Sequence, residues 1–188
     1  MKNLIEKILG LPKWYGLCVV LIYAVLLAEY MSEVNSIFLL QGLEISNVVK
    51  IFVRLSYVVA IFSSFAVWVV VALLFHFAAL LLDGSQKFSK FLMASSFMYI
   101  FPAVGIFIAI FLLDGVNVEE GTNVMEELVQ NERFRIIQYI VNGSFLPYYV
   151  ISACIIHYLY KINWIRSFMS VIIPVASIWG VTKLFTLL

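Results

Sequence analysis

An all-α protein that crosses a bilayer five times is the fold class predicted by three observations. Of the 188 residues, 64% are hydrophobic and only 12% charged, and the mean hydropathy is +1.05. A soluble domain carries about 25% charged residues to cover its surface. Five stretches are apolar over roughly the 20 residues that a helix needs to cross a hydrocarbon core. All five are continuous apolar runs without the period-2 alternation of a barrel strand. These properties exclude a soluble globular enzyme, a nucleic-acid-binding domain and a disordered region. The formal charge of +1 argues separately against nucleic acid as a partner.

The first element covers residues 1–12. Leu4, Ile5, Ile8 and Leu9 share one helical face, Lys2, Glu6 and Lys7 lie mostly elsewhere, and Gly10-Leu11-Pro12 stops the run. That pattern predicts a short interfacial helix. The first span follows at about 14–31. It leads into Ala28-Glu29-Tyr30-Met31 rather than a small-residue cleavage site, so a retained span is expected in place of a secretory signal. The second, at about 55–82, is long enough to tilt or to begin as an interfacial helix near Lys50. Spans three, four and five are predicted at about 88–113, 136–160 and 165–188. Two longer connections remain: Leu43–Leu55, where apolar and basic residues mix irregularly, and the acidic Asp114–Arg135. In the acidic one, Asn123 and Glu126 have capping-box spacing, which predicts that the fourth helix begins outside the bilayer. A single five-span domain is expected.

Charge sorts these elements across the membrane. One side holds Lys2, Lys7, Lys13, Lys87, Lys90, Lys161 and Arg166 against Glu6 and Asp83, a net +5. The other holds Lys50, Arg54, Arg133, Arg135 and Lys183 against Glu29, Glu33, Glu44, Asp114, Glu119, Glu120, Glu126, Glu127 and Glu132, a net −4. Orientation follows the Lys/Arg count, so the N-terminus is expected in the cytoplasm and the C-terminus outside.

Spans two–three and four–five echo each other as weak parallel repeats. Each pair has a histidine late in its first helix, His76 or His157, then a basic turn, then a proline in its second helix, Pro102 or Pro174. True duplication and the limited ways of punctuating a hairpin both account for this. The two imidazoles, if brought together, would make a proton or metal site; the alternative is interfacial histidines bonded to headgroups or backbone. No zinc helix, nucleophile elbow or phosphate loop occurs, and no nucleophile–base pair can be named, so neither an enzyme nor a cofactor is expected. Cys18 and Cys154 fall inside helices, where thiols behave as small hydrophobes.

A layer of helix breakers is the sharper feature. Pro102 with Gly105, Asn142-Gly143-Ser144 with Pro147, and Pro174 lie near the midplane of spans three, four and five. A proline frees a carbonyl that hydrocarbon cannot satisfy. Asn142, Ser144, Ser95, Ser96, Ser63 and Ser64 are available as partners, giving either a small polar cavity or simple kinks. Small residues spaced by four at Ala24/Ala28, Gly105/Ala109 and Ala176/Gly180 allow close helix approach. Trp14, Tyr15, Tyr30, Tyr158, Tyr160 and Trp164 sit near span ends, as interface anchors do.

The run Leu82-Asp83-Gly84-Ser85-Gln86-Lys87-Phe88-Ser89-Lys90, continuing through Tyr99 to Pro102, resembles the Yip family, the Ypt/Rab-interacting-protein-domain membrane proteins with bacterial relatives. The matching motif positions are Gly84, Lys87, Phe88 and Tyr99, and Leu11-Pro12-Lys13 resembles the element before the first span of bacterial members. The chain departs from the family at Asp83 and Met98, where glycines are frequent, and the few residues before the first span are not expected to engage trafficking GTPases. The resemblance implies a non-enzymatic, bacterial-type protein of the inner membrane. It would act as an accessory or scaffold subunit of a membrane complex such as one built on an ABC-type transporter. Expected partners are the lipid bilayer and another integral membrane protein or a second copy. The alternative is a small-solute transporter or channel using the midplane breakers.

Overall fold

The computed structural model describes residues 2–39, 47–116 and 124–187, and these are helical almost throughout. In chain order the helices are α1 (Lys2–Gly10), α2 (Lys13–Leu39), α3 (Asn47–Leu81), α4 (Phe88–Ser96), a 3₁₀ turn (Phe97–Tyr99), α5 (Ile100–Leu113), α6 (Val124–Gln130), α7 (Glu132–Gly143), α8 (Phe145–Tyr160) and α9 (Trp164–Leu187). Five stretches among the described residues are long and apolar enough to cross a membrane: Lys13–Ile37, Leu55–Leu81, Phe88–Leu113, Glu132–Tyr160 and Trp164–Lys183. The chain is an all-α polytopic membrane protein with a short helix before its first span. Helix is the form expected in lipid, because it satisfies every backbone group within the segment.

The helix of the first span, α2, runs past residue 31 to Leu39, because Glu29 and Glu33 are good helix formers and do not end it. Much of the connection expected at Leu43–Leu55 is likewise helix, from Asn47 onward. Asn123 and the Glu126 side chain lie outside the described residues, so the capping box expected there has no structural counterpart to report. The cap that is seen is Asn131, whose Oδ1 accepts the Phe134 N–H at 3.0 Å and starts α7. Such a cap stabilises a helix by about 1 kcal/mol.

Spans three and four are interrupted helices. Pro102 is the third residue of α5 and Pro147 the third of α8. Tyr99 and Ser144, just before these helices, keep right-handed helical angles, so the chain runs on through each break and each proline denies an N–H to the carbonyl four residues earlier, Met98 or Gly143. Pro174 sits inside the continuous α9, where its missing N–H leaves the Ser170 carbonyl without its helical donor.

Contacts divide the chain into two units that interleave along the sequence. Unit one comprises Met1–Val19, Val67–Met98 and Pro147–Leu188. Its buried centre includes Phe75, Phe91, Tyr148, Ile155 and Ile156, with Phe75 and Tyr148 6.4 Å apart between ring centroids. Gly16 packs so tightly on Ser96 that a β-carbon would collide with its hydroxyl. Unit two comprises Val20–Ala66 and Tyr99–Leu146. Ala109, Leu113, Val116, Leu128, Phe134 and Ile137 form its buried cluster, with Tyr30, Val34 and Ile37 against it. The Arg133 guanidinium covers Gly115 while its Nε donates to the Leu112 carbonyl at 3.0 Å. This unit therefore ties the end of α5 to the start of α7.

Candidate functional site

Unit one is organised around two turns, and each ends its helix on a non-glycine residue in the left-handed region. α3 closes in a Schellman arrangement: Gly84 N–H donates to the Ala79 carbonyl at 2.9 Å and Asp83 N–H to the Leu80 carbonyl at 3.2 Å. Asp83 takes φ 67°, the conformation usually given to glycine. Gly84 answers a different need. A β-carbon there would stand 2.6 Å from the Ala79 carbonyl oxygen and 2.9 Å from Tyr160 Cδ1. Its glycine thus permits close approach of the turn to the end of α8. That helix closes on Lys161 at φ 56°, and Asn163 then caps α9, its Oδ1 accepting the Arg166 N–H at 2.8 Å.

His76, buried on α3, shares a hydrogen bond between its Nδ1 and the Tyr160 hydroxyl. Its ring lies 5.3 Å from that of Phe88, and Phe91 meets Tyr160 edge-on at 5.9 Å. Gln86 Nε2 donates to the Leu159 carbonyl at 3.2 Å, and Arg166 pairs with Asp83 at 2.8 Å. The first turn is therefore fastened to the end of α8 and the start of α9. His157 behaves otherwise: its Nδ1 donates to the carbonyl of Ile162 at 2.6 Å, within its own turn, and its ring stacks on Trp164 at 4.1 Å.

The two imidazoles take separate partners. Among the described residues no group of three or more His, Cys, Asp or Glu side chains is placed to hold a metal. Tyr160, expected as an interface anchor, is buried at 2% exposure with its hydroxyl on His76; its position at a span end carried no information about which way it turns. Trp14 and Tyr15 are exposed and stacked at 4.0 Å, and the Tyr158 hydroxyl donates to Glu6 at 2.7 Å. The remaining motif residues scatter. Lys87 is exposed at the cap of α4, Phe88 is half-buried against His76, and Tyr99 is buried in unit two, edge-on to Tyr23 at 4.9 Å.

The breaker residues fall in both units. In unit two, Pro102 is buried and Gly105 receives Ser144 so closely that a β-carbon would clash with it, while Asn142 is exposed. In unit one, Pro147 is half-buried and Pro174 buried. The serines expected to serve proline-freed carbonyls bond within their own helices instead. Ser64 donates to Ala60, Ser95 to Leu92, Ser96 to Met93 and Ser144 to Val141, at 2.6–2.9 Å. That is the local side-chain-to-backbone bond open to any helical serine.

The three small-residue pairs separate clearly. Ala24, Ala28 and Ala109 are fully buried and Gly105 is packed on Ser144. On α9, by contrast, Ala176 is exposed and nothing lies within 4 Å of a β-carbon built on Gly180. Beside this open pair is an apolar groove of about 360 Å³ lined by Tyr149, Val171, Ile172, Val175, Ala176 and Trp179. Trp179 is 65% exposed.

No protein-family profile, no curated protein and no solved structure matches this chain.

Proposed function

We propose that the protein is a non-enzymatic accessory or scaffold subunit that holds a second membrane-spanning chain against α9. The observation that carries this reading is the open Ala176/Gly180 pair and its adjoining apolar groove. Lipid chains gain nothing from small residues, whereas a partner helix can bring its backbone close only where side chains are short. The other two small pairs are already consumed inside their units, so α9 is the face left to a partner. The occupant is another integral membrane protein or a second copy of this chain. The Yip-like turn at Gly84, Lys87 and Phe88 supports a place beside a transport assembly such as an ABC-type exporter, in a bacterial inner membrane with the N-terminus cytoplasmic and the C-terminus outside.

Solubilisation in mild detergent followed by mass spectrometry tests the reading. A stoichiometric membrane partner or a dimer is expected with the native chain, and its loss with Ala176→Leu/Gly180→Leu. Both leucines are compatible with lipid exposure and leave the packing within unit one untouched. Repeated recovery of the bare chain, or a partner retained by the double variant, would overturn it.

A further inference from the structure

A second groove in unit one has a different chemistry. It encloses about 460 Å³, within the range of about 300–1,000 Å³ typical of ligand pockets. Lys13, Lys87 and Lys90 line it together with Leu11, Met93 and Phe97. The lining residues of span three follow helical spacing. Lys87 and Lys90 stand at the start of α4, and Met93 and Phe97 follow at intervals of three and four, so cations grade into apolar surface along one face.

Among the described residues the positive charge in this groove is unpaired. Glu6 accepts from the Tyr158 hydroxyl and Asp83 pairs with Arg166; among the described residues no carboxylate reaches Lys13, Lys87 or Lys90. Trp14 and Tyr15, exposed and stacked beside Lys13, mark the level at which aromatic side chains meet lipid headgroups. A soluble anion would use the lysines and leave Met93 and Phe97 idle. An amphiphile with an anionic head uses both.

We propose that this groove binds one anionic glycerophospholipid, its phosphate against Lys13, Lys87 and Lys90 and an acyl chain along Met93 and Phe97. On the orientation proposed above the site faces the cytoplasmic leaflet, where anionic lipids attract basic segments. The inference goes beyond the accessory reading and does not depend on α9.

Native mass spectrometry of the full chain, exchanged into nanodiscs of phosphatidylcholine with or without phosphatidylglycerol, provides the test. One retained phosphatidylglycerol is expected, with its preference over phosphatidylcholine falling about fivefold for each lysine removed in Lys13→Gln, Lys87→Gln and Lys90→Gln. Met93→Trp, which fills the apolar part, should abolish retention with all three lysines present. Lys161→Gln, on the same side but outside the groove, should change nothing. Equal retention of both lipids, an effect of Lys161→Gln matching that of Lys87→Gln, or displacement of the lipid by inorganic phosphate at millimolar concentration would each overturn the proposal. So would amine cross-linking of Lys87 or Lys90 to an acidic segment of a protein partner in the absence of lipid retention. Unchanged circular dichroism and monodispersity of each variant separate a lost site from a lost fold.

Discussion

The turns after α3 and α8 follow similar sequence punctuation, yet they are built on opposite principles. The α8 turn has local closures of its own: His157 bonds the carbonyl of Ile162 five residues on, stacks on Trp164, and Asn163 caps the next helix. The α3 turn depends on residues far along the chain. His76 meets a hydroxyl 84 residues away, Gln86 reaches the Leu159 carbonyl, and Gly84 makes room for the Tyr160 ring. A histidine at the same place in two hairpins is a local latch in one and a tertiary fastener in the other. Repeated punctuation therefore does not imply repeated roles.

If the α3 turn rests on close approach, filling that approach should have the largest effect. Gly84→Ala forces a β-carbon against a backbone oxygen and the Tyr160 ring, and overpacking of this kind costs about 1–3 kcal/mol. A clear fall in the unfolding midpoint in detergent is expected. Gly180→Ala, where a β-carbon meets open space, should leave the midpoint level or slightly higher. Equal midpoints for native protein and Gly84→Ala would break the contrast between the turns.

The hydroxyl of Tyr160 comes next. Tyr160→Phe keeps the ring and strips His76 of its partner in a buried site, costing about 1–2 kcal/mol. Its cycle with His76→Leu should be non-additive by at least about 0.5 kcal/mol, since the two groups share one bond. The parallel cycle of Tyr160→Phe with His157→Leu should add, because His157 spends its bond on Ile162. Additivity in the first cycle would show that His76 and Tyr160 do not act together.

These contrasts mark what the sequence could and could not disclose. Hydropathy accumulates residue by residue along a helix, so five spans and the α-helical class are legible without tertiary knowledge. The breakers Pro102 and Pro147 are legible, but the form and place of the interruptions beside them, at Phe97–Tyr99 and Ser144, are not. Whether a proline kinks a helix or starts one depends on where the preceding turn ends. Tyr160 reads as an anchor because span ends are where anchors stand; its inward turn follows from Gly84, 76 positions earlier in the chain, and no local pattern encodes that pairing. Asn131 and Asn163 offered a usable signal, asparagine immediately before a helical run, that composition alone outweighed. The grading of Lys87, Lys90, Met93 and Phe97 is visible in sequence, but Leu11 and Lys13 join it only through the fold.

The smallest expected effect concerns Asp83, where two terms oppose each other. Its left-handed backbone is strained for any β-carbon, and aspartate tolerates it better than most residues do. Its carboxylate holds Arg166 at 2.8 Å, but both side chains are largely exposed, and such pairs contribute about 0–1 kcal/mol. Asp83→Asn keeps a side chain suited to the left-handed region and removes only the charge, so it isolates the ion pair: a loss of at most about 1 kcal/mol that shrinks with added salt. Asp83→Gly removes the charge and the strain together, and glycine at this position of a Schellman turn should recover the loss and leave stability at or slightly above the native level. Glycine above asparagine in unfolding midpoint, at both low and high salt, is the expected order. The reverse order would mean that the left-handed backbone at Asp83 holds no strain for glycine to relieve, whereas a loss in Asp83→Asn well above about 1 kcal/mol would mean that the exposed ion pair holds the α3 turn to its neighbour.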